Sequence, residues 1–253
     1  MGVTYQMRTY FLLILLLIPS SSCEKKNQCK ELENGIYISP DLPANHNMTS
    51  QEVDEFLDMP KEIADCITTE GLIESILRYP FVSLILAGSN PQSGYYLLKS
   101  KYRGVAELES RSDGGEYLLA LYKKRDPLGF DKTWELIDIG KYTLTGIFIE
   151  VIQGQYYSLR RLSNDEFKNL FMRSLEVYDL EMTEPEYFGY ASLNFIAAVL
   201  ARMMLVGNYE PFISLYNSDP LIYELTEFYS PVNISRTELI HEMAVEYSLT
   251  IKK

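Results

Sequence analysis

The sequence predicts an all-α protein, an irregular multi-helix bundle or array around a central apolar helix at about residues 186–206. Three observations predict it. First, Glu186–Val206 reads EYFGYASLNFIAAVLARMMLV, with no charged side chain from Tyr187 to Ala201 and apolar residues on every face. A helix that is hydrophobic all round is either a membrane span or the buried helix of a soluble core. A span takes about 20 apolar residues. Arg202 breaks this run, and Ser192 and Asn194 lie within it, so it reads as a buried hub. Second, helix-start signals recur along the chain. Third, no Asn-Gly or Asp-Gly turn joins two alternating runs as a hairpin would. Asp113-Gly114 opens a helical pattern instead.

Composition limits the function classes. The 253 residues are a prior for one or two domains. A hydrophobic content of 47% supports a real core and rules out a disordered chain. With 23 basic against 35 acidic residues, the net charge is −12, and the basic footprint that nucleic acid needs is missing.

From the N-terminus, Arg8 precedes the apolar run Phe11–Ile18, and then Pro-Ser-Ser-Ser-Cys. A basic residue, a short apolar run and a small-residue site make a secretory signal peptide. Residues 1–22 are expected to be removed, which takes away only Arg8 among charged groups and leaves a net charge of −13. Here the chain resembles a bacterial lipoprotein precursor, in which an apolar residue and two small residues precede an invariant cysteine. Ser21, Ser22 and Cys23 match the last three positions, and Ser20 departs from the usual leucine. The resemblance implies diacylation of the Cys23 sulfur, acylation of the new amino terminus, and residence in the bacterial cell envelope at the outer membrane. The other reading is a secreted protein with Cys23 in a disulfide.

Residues 23–48 hold Gly35, Pro40, Pro43 and several Asn without helical periodicity. They read as the lipidated N-terminus and a linker of about 25 residues that holds a helical domain, 49–253, off the membrane. In that domain, Ser or Thr followed three residues later by Glu forms a capping box. Thr49/Glu52, Ser163/Glu166, Thr183/Glu186 and Ser235/Glu238 fit the pattern, and Asp113/Glu116 is an aspartate version. Asn90-Pro91 and Asp219-Pro220 place proline at the first helical position after a cap, and Asp58-Met-Pro60 is a near variant. Helices are expected near 50–57, 60–66, 70–78, 80–87, 91–102, 105–110, 113–124, 132–153, 164–181, 185–206, 209–216, 220–228 and 236–249. Thr143–Ile152 is rich in β-branched residues that suit a strand, yet no partner strand is evident, so it is read as helix. Thr69–Pro127 is similar to a set of uncharacterised helical bacterial secreted proteins. The matching positions are Thr69, Glu70, Gly71, Leu72, Tyr79, Pro80, Arg111 and Asp113. The resemblance implies an all-helical body and carries no activity.

Candidate chemistry is sparse. Glu238 and His241 form a Glu-x-x-His unit, which di-iron bundles use in pairs. The only other histidine is His46 in the linker, so Glu238 reads as a helix cap. Val245 stands where a zincin would place its second zinc ligand. No cofactor or metal is expected, and no catalytic residue is assigned. Asp126, Asp131, Glu135 and Asp138 lie close in sequence and read as solvated helix ends. Cys29 and Cys66 could pair in an oxidising envelope, or Cys66 could be a small buried hydrophobe. The pairs Tyr95/Tyr96, Tyr156/Tyr157 and Tyr187/Tyr190 read as core-edge residues. The expectation is a membrane-anchored envelope lipoprotein serving as a non-catalytic binding or assembly module for a protein or glycan partner. The alternatives are a glycan- or peptide-capturing lipoprotein, marked by a groove of Tyr and Trp134, and a hydrolase, marked by two buried, facing carboxylates.

Overall fold

The computed structural model describes Cys29 and residues 32–44 and 47–251. Arg8, the apolar run 11–18, Ser21, Ser22, Cys23 and His46 lie outside the described residues. The described residues form helices and no strand. In chain order they are α1 (Ser50–Leu57), α2 (Lys61–Ala64), α3 (Thr69–Leu77), the 3₁₀ turn Val82–Leu86, α4 (Pro91–Lys101), α5 (Arg103–Ser110), α6 (Gly114–Lys124), α7 (Leu136–Gln153), α8 (Tyr156–Leu159), α9 (Asn164–Met182), α10 (Pro185–Val206), α11 (Glu210–Ser218), α12 (Pro220–Phe228) and α13 (Ile234–Ile251).

Local signals explain most of the starts. The Thr49/Glu52 and Ser163/Glu166 boxes form, each with both hydrogen bonds in place. Asn90 caps α4 above Pro91, and the Asp219 carboxylate caps α12 above Pro220. Three expected caps are replaced. Pro185 sets the start of α10, so Glu184 is its cap residue and Thr183 closes α9 instead. At α13, Asn233 Oδ1 accepts the Arg236 N–H, two residues before the expected Ser235/Glu238 box. Asp113 makes no side-chain cap; its carboxylate accepts the Thr69 hydroxyl at 3.0 Å from both oxygens.

The Thr143–Ile152 stretch lies within α7, with Ile147, Ile149, Val151 and Ile152 buried. Their burial against neighbouring helices outweighs their strand preference.

The hub is α10. It packs on α7, α9, α12 and α13, and Leu193, Ile196, Val199, Leu200 and Met203 are all buried. It is long and apolar enough to cross a membrane, but 72% of its most apolar window is buried inside the fold. Gly189 (φ +61°) interrupts its first turns. A β-carbon is disfavoured at that φ.

Arg202, which ends the apolar run, lies in the core at 1% exposure. Its Nε donates to Thr226 O at 2.7 Å, and Nη2 donates to Gln92 Oε1 at 2.8 Å and Glu227 O at 2.6 Å. Nη1 donates to Gly154 O at 3.0 Å and to the Tyr229 hydroxyl at 2.9 Å. Thus all five guanidinium donors are used. Gly154 closes α7, and Thr226 and Glu227 lie in the last turn of α12. The cation therefore sits at the negative ends of two helix dipoles and satisfies carbonyls that helix ends leave open.

The described part of the 23–48 segment is docked on the body. Cys29 is bonded to Cys66. The Tyr37 N–H donates to Ser75 Oγ, and the Ser39 hydroxyl donates to Leu57 O. Gly71 admits this strand of chain, because a β-carbon there would collide with the Gly35 carbonyl oxygen. Of the two readings of Cys66, the disulfide is the one the structure contains.

Candidate functional site

Two places in the fold concentrate chemistry. The first is a buried pair of carboxylates. Glu150 is the single acid in the apolar run GIFIEVI of α7, and Glu181 lies in the last turn of α9. Each is only 2% exposed. Glu150 Oε1 accepts the Tyr122 hydroxyl at 3.2 Å, while its Oε2 has no partner among the described residues. Glu181 Oε2 accepts the Ser192 hydroxyl of α10 at 2.6 Å. Burial disfavours the charged form of a carboxyl. It raises Glu150 well above the carboxylate range, and the nearby Glu181 charge raises it further. Burial also lifts Glu181, to about 7, against the opposing pull of Ser192 and Arg125. Tyr122 is likewise held well above its usual value, first by burial and then by Glu150. Burial thus favours the protonated form of both acids.

Such a pair has the electrostatics of an acid–base site. Its access is another matter. Neither carboxylate reaches solvent, and their inner oxygens face Tyr122 and Ser192. The adjacent cleft of about 500 Å³ is lined by Glu74, Arg78, Lys124, Arg125 and Tyr142 among others, and by neither acid of the pair.

The second place is an aromatic cluster beside the main core. Phe130, Ile139 and Phe188 are buried together, with Leu128, Tyr142 and Tyr187 packed on them. Phe130 touches Tyr187, Phe188 and Tyr142 at ring separations of 5.0, 6.0 and 6.0 Å. Trp134 lies edge-on to Tyr142 at 6.2 Å. The Lys132–Glu184 ion pair, at 2.7 Å, ties the 130s segment to the start of α10. In the segments that carry this cluster, large apolar side chains face water: Leu136 is 79% exposed, Ile137 67%, Tyr190 55% and Trp134 44%.

The acids singled out in the sequence do not form a site. Asp126, Asp131, Glu135 and Asp138 are exposed. Asp126 and Asp131 accept nearby backbone N–H groups, and Asp138 pairs with Lys141. His241 stacks on Tyr178 at 4.2 Å, with Nε2 3.0 Å from Asp179 Oδ1. Among the described residues no group of three His, Cys, Asp or Glu is arranged to hold a metal. The tyrosine pairs split: Tyr95 is buried and Tyr96 exposed, Tyr187 packs on Phe130 and Tyr190 faces water. The residues Thr69, Tyr79 and Arg111 make structural contacts. Arg111 donates to Ala64 O, Ile67 O and the Thr69 hydroxyl, and Tyr79 stacks on Tyr102 at 4.2 Å. Sequence reading missed the Glu150–Glu181 pair, although a lone acid inside GIFIEVI was the available signal.

Compared with known proteins, the chain matches no family model, no curated protein and no solved structure.

Proposed function

We propose that this protein is a lipid-anchored lipoprotein of the bacterial cell envelope, whose helical body is a non-catalytic binding or assembly module at the outer membrane. The observation that carries the binding role is the exposure of Trp134, Leu136 and Ile137, close together in sequence, beside the buried aromatic cluster that Trp134 joins through Tyr142. Single exposed apolar residues are ordinary on protein surfaces, whereas contiguous ones mark contact sites. Aromatic residues are also enriched in interface cores. The Cys29–Cys66 disulfide supports an exported location, since such bonds persist in oxidising compartments. Cys23 is the acylated residue in this reading, and the anchor is the membrane contact.

Photo-crosslinking from position 137 in intact cells tests the binding role. A discrete adduct is expected, absent when the crosslinker is placed at exposed Glu55. Equal background from both positions would remove the face from consideration.

The Glu150–Glu181 pair favours a second reading, a carboxylate-dependent hydrolase. Its enclosure argues against that reading, because a general acid must come within hydrogen-bond reach of its substrate.

A further inference from the structure

We propose that the groove between α3 and α6 binds a small organic monoanion with an apolar body, such as a medium-chain carboxylate. The inference needs neither the lipid anchor nor the exposed Trp134 segment.

The groove follows from how three helices meet. The Thr69 hydroxyl at the start of α3 bonds the Asp113 carboxylate at the start of α6, and both helices end at one cleft, so they run side by side in the same direction. α7 lies beneath them and adds Tyr142, Thr145 and Ile149 to the lining. The cleft at the C-terminal ends, of about 500 Å³, shares Glu74, Leu121 and Lys124 with a second of about 180 Å³ nearer the starts. Together they form one groove in the size range of small-molecule sites. Its floor is apolar: Ile73 and Ile149 are buried, and Leu77 and Leu121 half-buried.

Charge decides the ligand class. Arg78, Lys124 and Arg125 converge on the wide end, against one acid, Glu74, in a chain of net charge −12. Basic side chains at helix C-termini ordinarily answer the dipole, which amounts to roughly half a negative charge per helix end. The ends of α3 and α6 together with Glu74 thus offset about two of the three cations. Asp126 follows Arg125 but does not line the cleft, and its carboxylate accepts the Leu128 N–H. Glu150 and Glu181, below the floor, add little negative charge, because burial favours their protonated forms. At the narrow end, Glu70 lies in the first turn of α3, where the dipole is positive. About one positive charge is left over at the wide end, which matches a single carboxylate.

The cations are also placed for it. Arg125 Nη2 donates to Tyr142 O at 2.8 Å, and the guanidinium lies 4.7 Å from the Tyr142 ring centre. A β-carbon at Gly146 would lie 2.8 Å from Arg125 Cζ, so the glycine leaves the space that the guanidinium fills. Arg78 meets Glu74 only at 3.7 Å. Lys124 makes no ion pair among the described residues. A fixed guanidinium and an unpaired ammonium above an apolar floor offer charge-assisted hydrogen bonds to a carboxylate and burial to its tail.

Isothermal titration of the full-length chain with octanoate tests the site, using Cys23→Ser protein so that no acyl group competes. Saturable one-to-one binding is expected. It should be at least about tenfold tighter than that of octylammonium, which reverses the charge, or of acetate, which lacks the tail. Arg78→Glu/Lys124→Glu alters two exposed side chains and should weaken octanoate at least about tenfold. Thermal unfolding checks that this variant is folded. Lys123→Glu, an exposed neighbour that does not line the groove, should change the affinity by less than about twofold. Octanoate that binds no tighter than octylammonium overturns the proposal, as do non-saturable uptake and an unchanged affinity in the double variant. Binding of an oligoglutamate peptide in place of octanoate assigns the groove to an acidic polypeptide and equally overturns it.

Discussion

The ring of Tyr229 lies over the guanidinium of Arg202, its centre 4.3 Å from Cζ, while its hydroxyl accepts a hydrogen bond from Nη1 of the same group. Tyr229 closes α12 in the left-handed region, at φ +56°. A residue other than Gly or Asn is uncommon there, and the hydroxyl–Arg202 bond is what the strained turn delivers. Phe195 of the hub packs on the Tyr229 ring, at 5.8 Å.

Arg202→Ala is expected to destabilise the body by about 3–5 kcal/mol, since it leaves buried acceptors on three segments without donors. Arg202→Lys should recover little, because an ammonium has three donors and no planar fork. Chemical denaturation with matched slopes is the measurement. A variant within about 1 kcal/mol of the native protein would show that water replaces the guanidinium at little cost.

Much of this region was legible and its centre was not. The hub could be read because a long uncharged run has few soluble uses. Arg202 was read as the end of that run, when it is part of the buried surface. Its acceptors come from Gln92, Gly154, Thr226, Glu227 and Tyr229, and no local pattern announces partners so far apart. Asp113 makes the same point. Its spacing to Glu116 fits a capping box, yet a hydroxyl 44 residues away claims its carboxylate. The candidate acids failed for the opposite reason: clustering along the sequence favours exposed helix ends, whereas the buried pair draws one acid from α7 and one from α9.

Leu200 is fully buried in the hub. Leu200→Ala is expected to lower stability by about 2–5 kcal/mol, read as a fall in thermal midpoint. A neutral result would show that α10 does not organise the core.

Stability should fall as pH rises through the Glu181 titration. The folded value, about 7, lies above the 4.5 of a free glutamate. The native state therefore holds more protons between these values, and the stabilisation is full below about pH 4.5 and lost by about pH 7. The groups facing it are Glu150, Arg125 and Ser192, with Tyr122 behind Glu150. The loss is on the order of 3 kcal/mol. Glu181→Gln should flatten the dependence of thermal midpoint on pH between 5 and 8. An unchanged slope in that variant assigns the dependence elsewhere.

Reduction of Cys29–Cys66, which closes a loop with a sequence separation of 37, should cost about 2–4 kcal/mol. Denaturation with and without reductant gives the value. No shift would mean that the docked segment is already held by its contacts alone.

Cys23→Ser should lose acyl label and leave the membrane fraction. If the native protein carries no acyl label, the anchor reading is wrong.

The distribution of the Arg202 acceptors also bears on how the chain is made. A polypeptide synthesised from its N-terminus presents α10 before Thr226, Glu227 and Tyr229 exist. Until then the guanidinium lacks three of its five acceptors, and an apolar helix long enough to be mistaken for a membrane anchor lacks its cover from α12 and α13. The last thirty or so residues thus complete the centre of the molecule. A chain ending at residue 220 should be cleaved by protease throughout its length. A protease-resistant fragment covering α3 to α7 would show instead that the N-terminal helices close on their own.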